Sequence, residues 1–233
     1  MKTEINEKFS KILGAVFLLQ ASAPVIGGII RDSIIGSGDI INTMTNISDN
    51  AWLMQVGIAV ELIAAIGVVM LGVLLYLLLK KQDTKIALVA LGFYLIEVVA
   101  LIISQVASSA LLHISQESVL AGHPEILQIL GSLSLEIHDF AFGSVLMLFF
   151  ALGATLFYYL FYKSGYLPKG LSLFGLTVAV LSLSGIMIAL FSVVSAESIL
   201  IVFMLNLPFE LGTGIWLLAK GFRGGTQTIL KVS

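Results

Sequence analysis

The chain has 233 residues, of which 58% are hydrophobic and 11% are charged, and its formal net charge is −2. This composition is too apolar for a soluble domain of this length, and no basic patch of the kind that binds nucleic acid is present. The chain has no cysteine, which excludes disulfides and thiolate chemistry.

Six apolar segments along the chain are long enough to cross a bilayer as helices. A helix needs about 20 predominantly apolar residues to span the hydrocarbon core. The predicted spans are roughly Phe9–Ile30, Leu53–Leu79, Ile86–Leu111, Leu135–Tyr162, Leu171–Val193 and Ser198–Ala219. We therefore predict an all-α, polytopic transmembrane helical bundle that forms a single transmembrane domain over residues 1–233.

The first span begins like a secretory signal, because lysines precede an apolar run that includes Ala21-Ser22-Ala23. Pro24 would directly follow the cleavage site, which disfavours cleavage, and the apolar sequence resumes at Val25. We predict that this span is retained and that its helix is kinked near Pro24.

The basic residues predict the orientation of the spans. Eleven of the twelve Lys and Arg residues lie in four clusters: before and at the start of span one, between spans two and three, between spans four and five, and after span six. The other three connections hold one base, Arg31, and six of the nine acids that lie outside the predicted spans. Because cytoplasmic connections are enriched in Lys and Arg, both termini are predicted to be cytoplasmic.

The two longer outer connections each predict a short interfacial helix. In Asp39–Asn50, four apolar residues recur at helical spacing: Ile40, Ile41, Met44 and Ile47. In the second connection, Pro124 is a good first helical residue and Glu125 complements the positive end of a helix. These helices either cap the bundle against the bilayer or cover an outward-facing pocket.

Polar residues in or at the ends of the spans are the candidates for binding a ligand or a proton. An ionisable residue at mid-membrane costs roughly 2.5–3.5 kcal/mol on insertion scales, so these side chains are expected to face the bundle interior. The candidates are Glu61, Glu97, Glu210, His138, Asp139, Glu136, Gln20, Gln105 and Asn206. They either hydrogen-bond neighbouring helices or line a polar pocket that exchanges protons or binds cations.

No catalytic, cofactor or metal motif accompanies these residues. A nucleophile elbow, a phosphate-binding loop and a dinucleotide fingerprint are missing, and no zinc-ligand spacing links His113, His123 and His138. His138 is interpreted as a pH-responsive group, as ordinary polarity at a helix end, or, with Asp139, Glu61 and Glu210, as part of a carboxylate-rich metal site. Aromatic residues near the span ends, Tyr158 among them, are predicted to lie in interfacial belts.

Four segments carry a family resemblance. They are Glu136–Gly143 at the start of span four, Tyr162–Lys169, Pro208–Glu210 and Ile215–Gly221. In order and spacing they resemble a group of six-span bacterial membrane proteins catalogued as domain of unknown function 4386. The resemblance implies the same topology in the bacterial inner (cytoplasmic) membrane, with a histidine at His138 and an acid at Glu210. It implies no activity.

Three functions remain open from the sequence. The leading hypothesis is a buried acidic small-molecule or ion site open to the outer side, for transport or sensing, with Glu61 and Glu210 as exchanging groups. The second is an intramembrane, lipid-acting hydrolase or transferase that uses His138, Asp139 and Glu61. The third is an accessory subunit in contact with membrane lipids that binds a partner span or another copy of itself. The missing motifs favour a role other than catalysis.

Overall fold

The computed structural model describes residues 2–36, 38–189 and 204–223, with side chains from residue 7 onward. Every regular element in these ranges is helical, which confirms the all-α prediction. The helices are α1 (Lys2–Ile35), α2 (Ile40–Asp49), α3 (Ala51–Leu79), α4 (Thr84–Leu120), α5 (Glu125–Phe140), α6 (Met147–Ser164), α7 (Lys169–Ala189) and α8 (Asn206–Ala219). A π-helical turn, Ala141–Leu146, joins α5 to α6.

Long apolar helices dominate this part of the chain. Five helices are long and apolar enough to cross a membrane: Glu7–Ile35, Ala51–Leu79, Thr84–Leu120, Glu125–Ser164 and Lys169–Ala189. They correspond to the first five predicted spans. Span six was predicted over Ser198–Ala219. The end of span five and the first part of span six, residues 190–203, lie outside the described residues. Helix α8, Asn206–Ala219, covers most of the rest of span six.

Several of these helices are longer than predicted, and α4 is a clear case. Span three was expected over Ile86–Leu111, but α4 continues to Leu120 and has 37 residues. At 1.5 Å per residue such a helix is about 55 Å long, whereas the hydrocarbon core is about 30 Å thick. Helix α4 is therefore much longer than the hydrocarbon core requires.

The second outer helix is not a separate interfacial helix, which corrects the prediction for this connection. Pro124 was expected to be the first helical residue, but it caps the helix, which begins at Glu125. Helix α5 then continues through the π-helical turn into α6. The result is a single 40-residue helix, Glu125–Ser164, where the sequence predicted a start near Leu135. No proline interrupts this segment, and Gly131 alone does not end a helix.

The first outer helix is present as α2. The carboxylate of Asp39 accepts a hydrogen bond from the backbone N–H of Asn42 at 2.8 Å and caps its first turn. Met44 and Ile47 are completely buried. Met44 lies against Gly131 of α5, and Ile47 packs with apolar side chains of α1, α3 and α4. The apolar face of α2 therefore packs on protein.

The chain forms two compact units. Unit 1 comprises Met1–Ala21, Gly67–Glu97 and Met147–Ser233, and unit 2 comprises Ser22–Ile66 and Val98–Leu146. Helices α1, α3 and α4 each contribute residues to both units, and a single transmembrane domain over 1–233 stays a prediction.

Aromatic side chains fill the core of unit 1. Six of them are almost completely buried: Phe17, Tyr94, Phe157, Tyr158, Phe161 and Phe209. The Tyr94 ring packs edge-on against Phe157 with 5.2 Å between ring centroids. It also lies directly over Gly153, where an added Cβ would overlap the ring. The small residue allows α4 and α6 to approach closely at this position.

Candidate functional site

Unit 2 contains a polar pocket between α1, α3, α4 and α5. Its lining residues are Gly27, Arg31, Met54, Gly57, Ile58, Glu61, Gln105, Ser108 and His138. Its empty space, counted together with the adjoining open solvent, is about 240 Å³, and the inner part in which the centre of a water molecule fits is about 10 Å³. This inner space is sufficient for about one water molecule or a group of similar size.

Helical spacing explains why these residues share a pocket. On α1, Gly27 and Arg31 are four residues apart and therefore lie on one face. On α3, Ile58 and Glu61 are three residues apart, and on α4 Gln105 and Ser108 have the same spacing. Helices α1, α3 and α4 thus each present one face to the pocket, and each face carries at least one polar residue.

Arg31 is held by two acids at the edge of the pocket. Its Nη2 donates a hydrogen bond to Asp139 Oδ1 at 3.0 Å, and its Nη1 lies 3.7 Å from Asp32 Oδ1. The Arg31 side chain is 21% exposed and that of Asp139 is 66% exposed. An ion pair this open contributes about 0–1 kcal/mol to stability, so its main effect is to orient the guanidinium.

His138 is fixed from two directions. Its Nδ1 lies 3.0 Å from Asp139 Oδ1, and its ring stacks on Phe142 with 5.7 Å between centroids. Phe142 belongs to the π-helical turn, a distortion that often occurs at functional sites. If Nδ1 carries the proton that it donates to Asp139, Nε2 of a neutral imidazole is a hydrogen-bond acceptor.

Glu61 is an acidic residue buried in the pocket wall, with only 6% of the residue exposed. Its carboxyl group packs on Gly27, where an added Cβ would lie 2.6 Å from Oε1. Its other oxygen, Oε2, is buried without a hydrogen-bond partner. Leaving such an atom unsatisfied costs about 1–3 kcal/mol, so Oε2 marks a position where a bound donor would be stabilised.

The pocket also contains an unused donor. Arg31 Nε is buried without a hydrogen-bond partner, although both Nη atoms face acids. Gln105 donates from Nε2 to the hydroxyl of Ser104 at 3.0 Å. Its amide oxygen remains an acceptor at the pocket wall. Arg31, with an unpaired donor at Nε, and Glu61, with an unpaired acceptor at Oε2, therefore line the same pocket.

Unit 1 contains a second group of polar side chains. Glu210 accepts a hydrogen bond from the hydroxyl of Tyr158 at 3.2 Å, and the Gln20 side chain lies beside its carboxyl group. Glu97 is close enough to Glu210 to interact with it electrostatically. Glu97, Glu210 and Gln20 are each at most 6% exposed. These acids are surrounded by protein, as the cost of burying them in a membrane led us to expect.

Tyr158 was predicted to lie in an interfacial belt, and this prediction is wrong. The side chain is completely buried and its hydroxyl binds Glu210. Its neighbour Tyr159 is 41% exposed. Successive residues of a helix point in different directions, so a Tyr-Tyr pair near a span end does not indicate which ring faces the core.

The nine sequence-predicted residues fall into separate places. Glu61, His138 and Gln105 line the pocket of unit 2, and Asp139 binds His138 and Arg31 beside it. In unit 1, Asn206 of α8 donates a hydrogen bond to Ser182 of α7 at 2.8 Å, and Gln20, Glu97 and Glu210 form the second group. Glu136 is exposed.

Glu210 is not a lining residue of the pocket, although it was expected to act together with Glu61. Sequence reasoning also missed the other six lining residues, among them Arg31, Ser108 and Gly27. Arg31 was considered only for topology, whereas Ser108 and Gly27 were not singled out. Arg31 carried a usable signal, because it is the one base among the outer connections.

A protein metal site needs several ligand side chains close together. Across residues 2–36, 38–189 and 204–223, no group of three or more His, Cys, Asp or Glu is gathered in a way that could hold a metal ion.

Long apolar helices with buried polar residues define a helical membrane protein. The chain belongs to the family described as domain of unknown function (DUF4386), whose model matches residues 12–221. This match confirms the resemblance seen in the sequence, and it includes both groups of polar residues. No curated protein and no solved structure matched the chain.

Proposed function

We propose that this protein has six spans in the cytoplasmic membrane with both termini in the cytoplasm, and that its unit 2 pocket binds a small molecule or ion from the outer side. Binding would serve transport or sensing. The observation that carries the proposal is that Glu61, His138 and Arg31, from three different helices, line one pocket. Ionisable groups within membrane spans are rare unless they face one another or a polar cavity.

The position of the pocket along the helices supports an outer opening. Arg31 lies near the end of α1, and Met54 lies near the start of α3. The connection between them holds no Lys or Arg, so the positive-inside rule assigns it to the outer side. Asp32 and Asp139, both largely exposed, give the edge of the pocket a negative character.

The unpaired Glu61 oxygen supports binding over a purely structural role. A carboxyl group that only joined two helices would be expected to use its buried oxygens in hydrogen bonds. Oε2 has no such partner, and, unlike the equally unpaired Oε2 of Glu97, it belongs to a residue that lines the pocket of unit 2, which has space for about one small group. Glu61 is therefore assigned to the ligand, with His138 and Arg31 completing the wall.

A ligand screen on the purified full-length protein tests this proposal. A ligand or a change of pH that shifts the melting temperature should lose its effect in Glu61→Gln and in His138→Gln. Glu97→Gln makes the same chemical change at a buried carboxyl group of unit 1 and should keep the response. If both pocket variants respond to ligands and pH as the unmodified protein does, the proposal fails.

A second candidate function is acyl transfer from a lipid ester. It is favoured by the hydrogen bond between His138 and Asp139 and by the hydroxyl of Ser108 in the same pocket. These are the residue types of a nucleophile, a base and an orienting acid. A fluorophosphonate probe would label Ser108 if this function is real, and Ser108→Ala would abolish the labelling. Unlabelled protein in native membranes would remove this candidate.

A further inference from the structure

Arg31 and Glu61, two ionisable residues of the unit 2 pocket, differ in their ion-pair partners. Arg31 has two acidic partners, Asp139 and Asp32. Glu61 takes part in none of the ion pairs formed by the described residues, and Arg31 acts on it only at longer range. An occupant with a positive charge would therefore complement Glu61, whereas a purely anionic occupant would add a second negative charge beside it.

The hydrogen-bonding groups of the pocket restrict the occupant further. Acceptors predominate on the α3 and α4 walls: Glu61 Oε2 has no partner, Gln105 offers its amide oxygen, and Ser108 offers a hydroxyl. An ammonium group has several N–H donors and is about the size of a water molecule. It fits the inner space of about 10 Å³ and can donate to more than one of these oxygens.

Arg31 Nε requires a hydrogen-bond acceptor rather than a donor. It is a buried donor without a partner, so the occupant gains from an oxygen that accepts its hydrogen bond. An alkali cation would complement the charge of Glu61 but could not accept this bond. A water molecule could accept it but would leave the charge of Glu61 unmatched. An amine with a nearby oxygen does both.

We infer that the pocket binds the ammonium group of a small primary amine, with Glu61 as its counter-ion and with an adjacent oxygen of the ligand bound to Arg31 Nε. This inference rests on the proposed function and names the ligand class for the same pocket. Two sources share this chemistry: a free amino alcohol, and the ethanolamine headgroup of a membrane lipid.

Calorimetry on the full-length protein in detergent tests the ligand class with four probes. Ethanolamine carries the amine and the oxygen, methylammonium carries the amine alone, tetramethylammonium is a cation without N–H donors, and acetate carries only acceptors. Ethanolamine should bind more tightly than methylammonium, and the other two should not bind. This order follows because only ethanolamine supplies donors for Glu61 and an acceptor for Arg31 together.

Three variants test the assigned contacts. Glu61→Gln should weaken ethanolamine binding by roughly ten-fold or more, because a charge-assisted hydrogen bond is lost. Arg31→Lys keeps the positive charge but removes Nε, so it should reduce the affinity for ethanolamine to that for methylammonium. Glu97→Gln should leave both affinities unchanged. Circular dichroism and melting temperature confirm that each variant is folded.

The inference and the proposed function fail in different ways. The amine class is overturned if tetramethylammonium binds as well as methylammonium, or if ethanolamine binding survives Glu61→Gln. It is also overturned, with the pocket retained as a binding site, if acetate or another compound binds in a Glu61- or His138-dependent manner while no amine does. If no ligand or pH response depends on Glu61 or His138, both proposals fail.

Nanodiscs distinguish the two sources of the amine. In phosphatidylcholine discs, free ethanolamine should bind as it does in detergent. If phosphatidylethanolamine in the discs abolishes this binding, the lipid headgroup is the occupant, and unchanged binding supports a free amine. Absence of binding in both kinds of disc overturns the inference.

Discussion

The carboxyl group of Glu61 lies directly on Gly27, so close that a methyl group at position 27 would be 2.6 Å from Oε1. The next residue, Gly28, has nothing within 4 Å of an added Cβ. A side chain added at Gly27 would therefore displace Glu61, whereas one added at the adjacent Gly28 would not. This pair provides a test of the pocket in which no polar group is removed.

Gly27→Ala should displace the Glu61 carboxyl group and impair ligand binding, while Gly28→Ala should not. Overpacking at position 27 is expected to cost about 1–3 kcal/mol of stability. Gly28→Ala should be neutral or slightly stabilising, because alanine is the better helix former. The measurement is the melting temperature with and without ligand. Equal effects of the two substitutions would contradict the assigned position of Glu61.

Phe142 is predicted to position His138. Phe142→Leu removes the ring that stacks on the imidazole and should weaken ligand binding by about two- to ten-fold, the range expected for an aromatic pair. Phe142→Tyr keeps the stacking and should restore binding. Phe140→Leu, at a ring that is 63% exposed, is the control and should have no effect. Binding that is insensitive to all three substitutions would exclude a positioning role.

Tyr158→Phe should destabilise the protein because it removes the hydrogen bond to the buried Glu210 carboxyl group. The expected loss is about 1–3 kcal/mol, since Glu210 is left without this donor. Tyr159→Phe is the matched control on the neighbouring, partly exposed ring. Thermal unfolding in detergent measures the difference, and equal melting temperatures for the two variants would contradict the assigned contact.

The close packing of Tyr94 on Gly153 gives a prediction for the core of unit 1. Gly153→Ala places a methyl group inside the space of the ring and should cost about 1–3 kcal/mol. Gly92→Ala, where nothing lies within 4 Å of an added Cβ, should be neutral or stabilising. The free energy of unfolding in denaturant distinguishes them. A stable Gly153→Ala protein would show that the two helices separate more easily than this packing implies.

The chain contains no cysteine, so single introduced cysteines report topology directly. A membrane-impermeant maleimide should label Asp49→Cys in intact cells, because this residue is the exposed last residue of α2, which is predicted to lie on the outer side. Lys169→Cys should react only after permeabilisation, since the basic connections are predicted to face the cytoplasm. The reverse pattern would overturn the proposed orientation and the outer opening of the pocket.

Much of the fold was predictable because lipid imposes simple requirements on length and polarity. The first five spans follow from apolar runs, and α2 follows from helical spacing within Asp39–Asn50. The continuous helix Glu125–Ser164 was not predicted, because a π-helical turn has no clear sequence signature and an apolar outer segment resembles an interfacial helix.

The site was predictable in its residue types but not in its grouping. Glu61 and His138 were candidates because burial of ionisable groups in a membrane is costly. Their common pocket, and the separate place of Glu210, depend on how each helix is rotated against its neighbours. The rotation is set by tertiary contacts such as that between Glu61 and Gly27, which no periodicity in the sequence reveals.

A single atom, Asp139 Oδ1, accepts from both Arg31 and His138, at 3.0 Å in each case. The guanidinium and the imidazole therefore share one acceptor atom, and both lose a hydrogen bond if this carboxylate moves away. Because the Asp139 side chain is 66% exposed, dissolved salt can weaken this shared bond. The salt concentration of the medium therefore affects the positions of both Arg31 and His138 through one exposed oxygen atom.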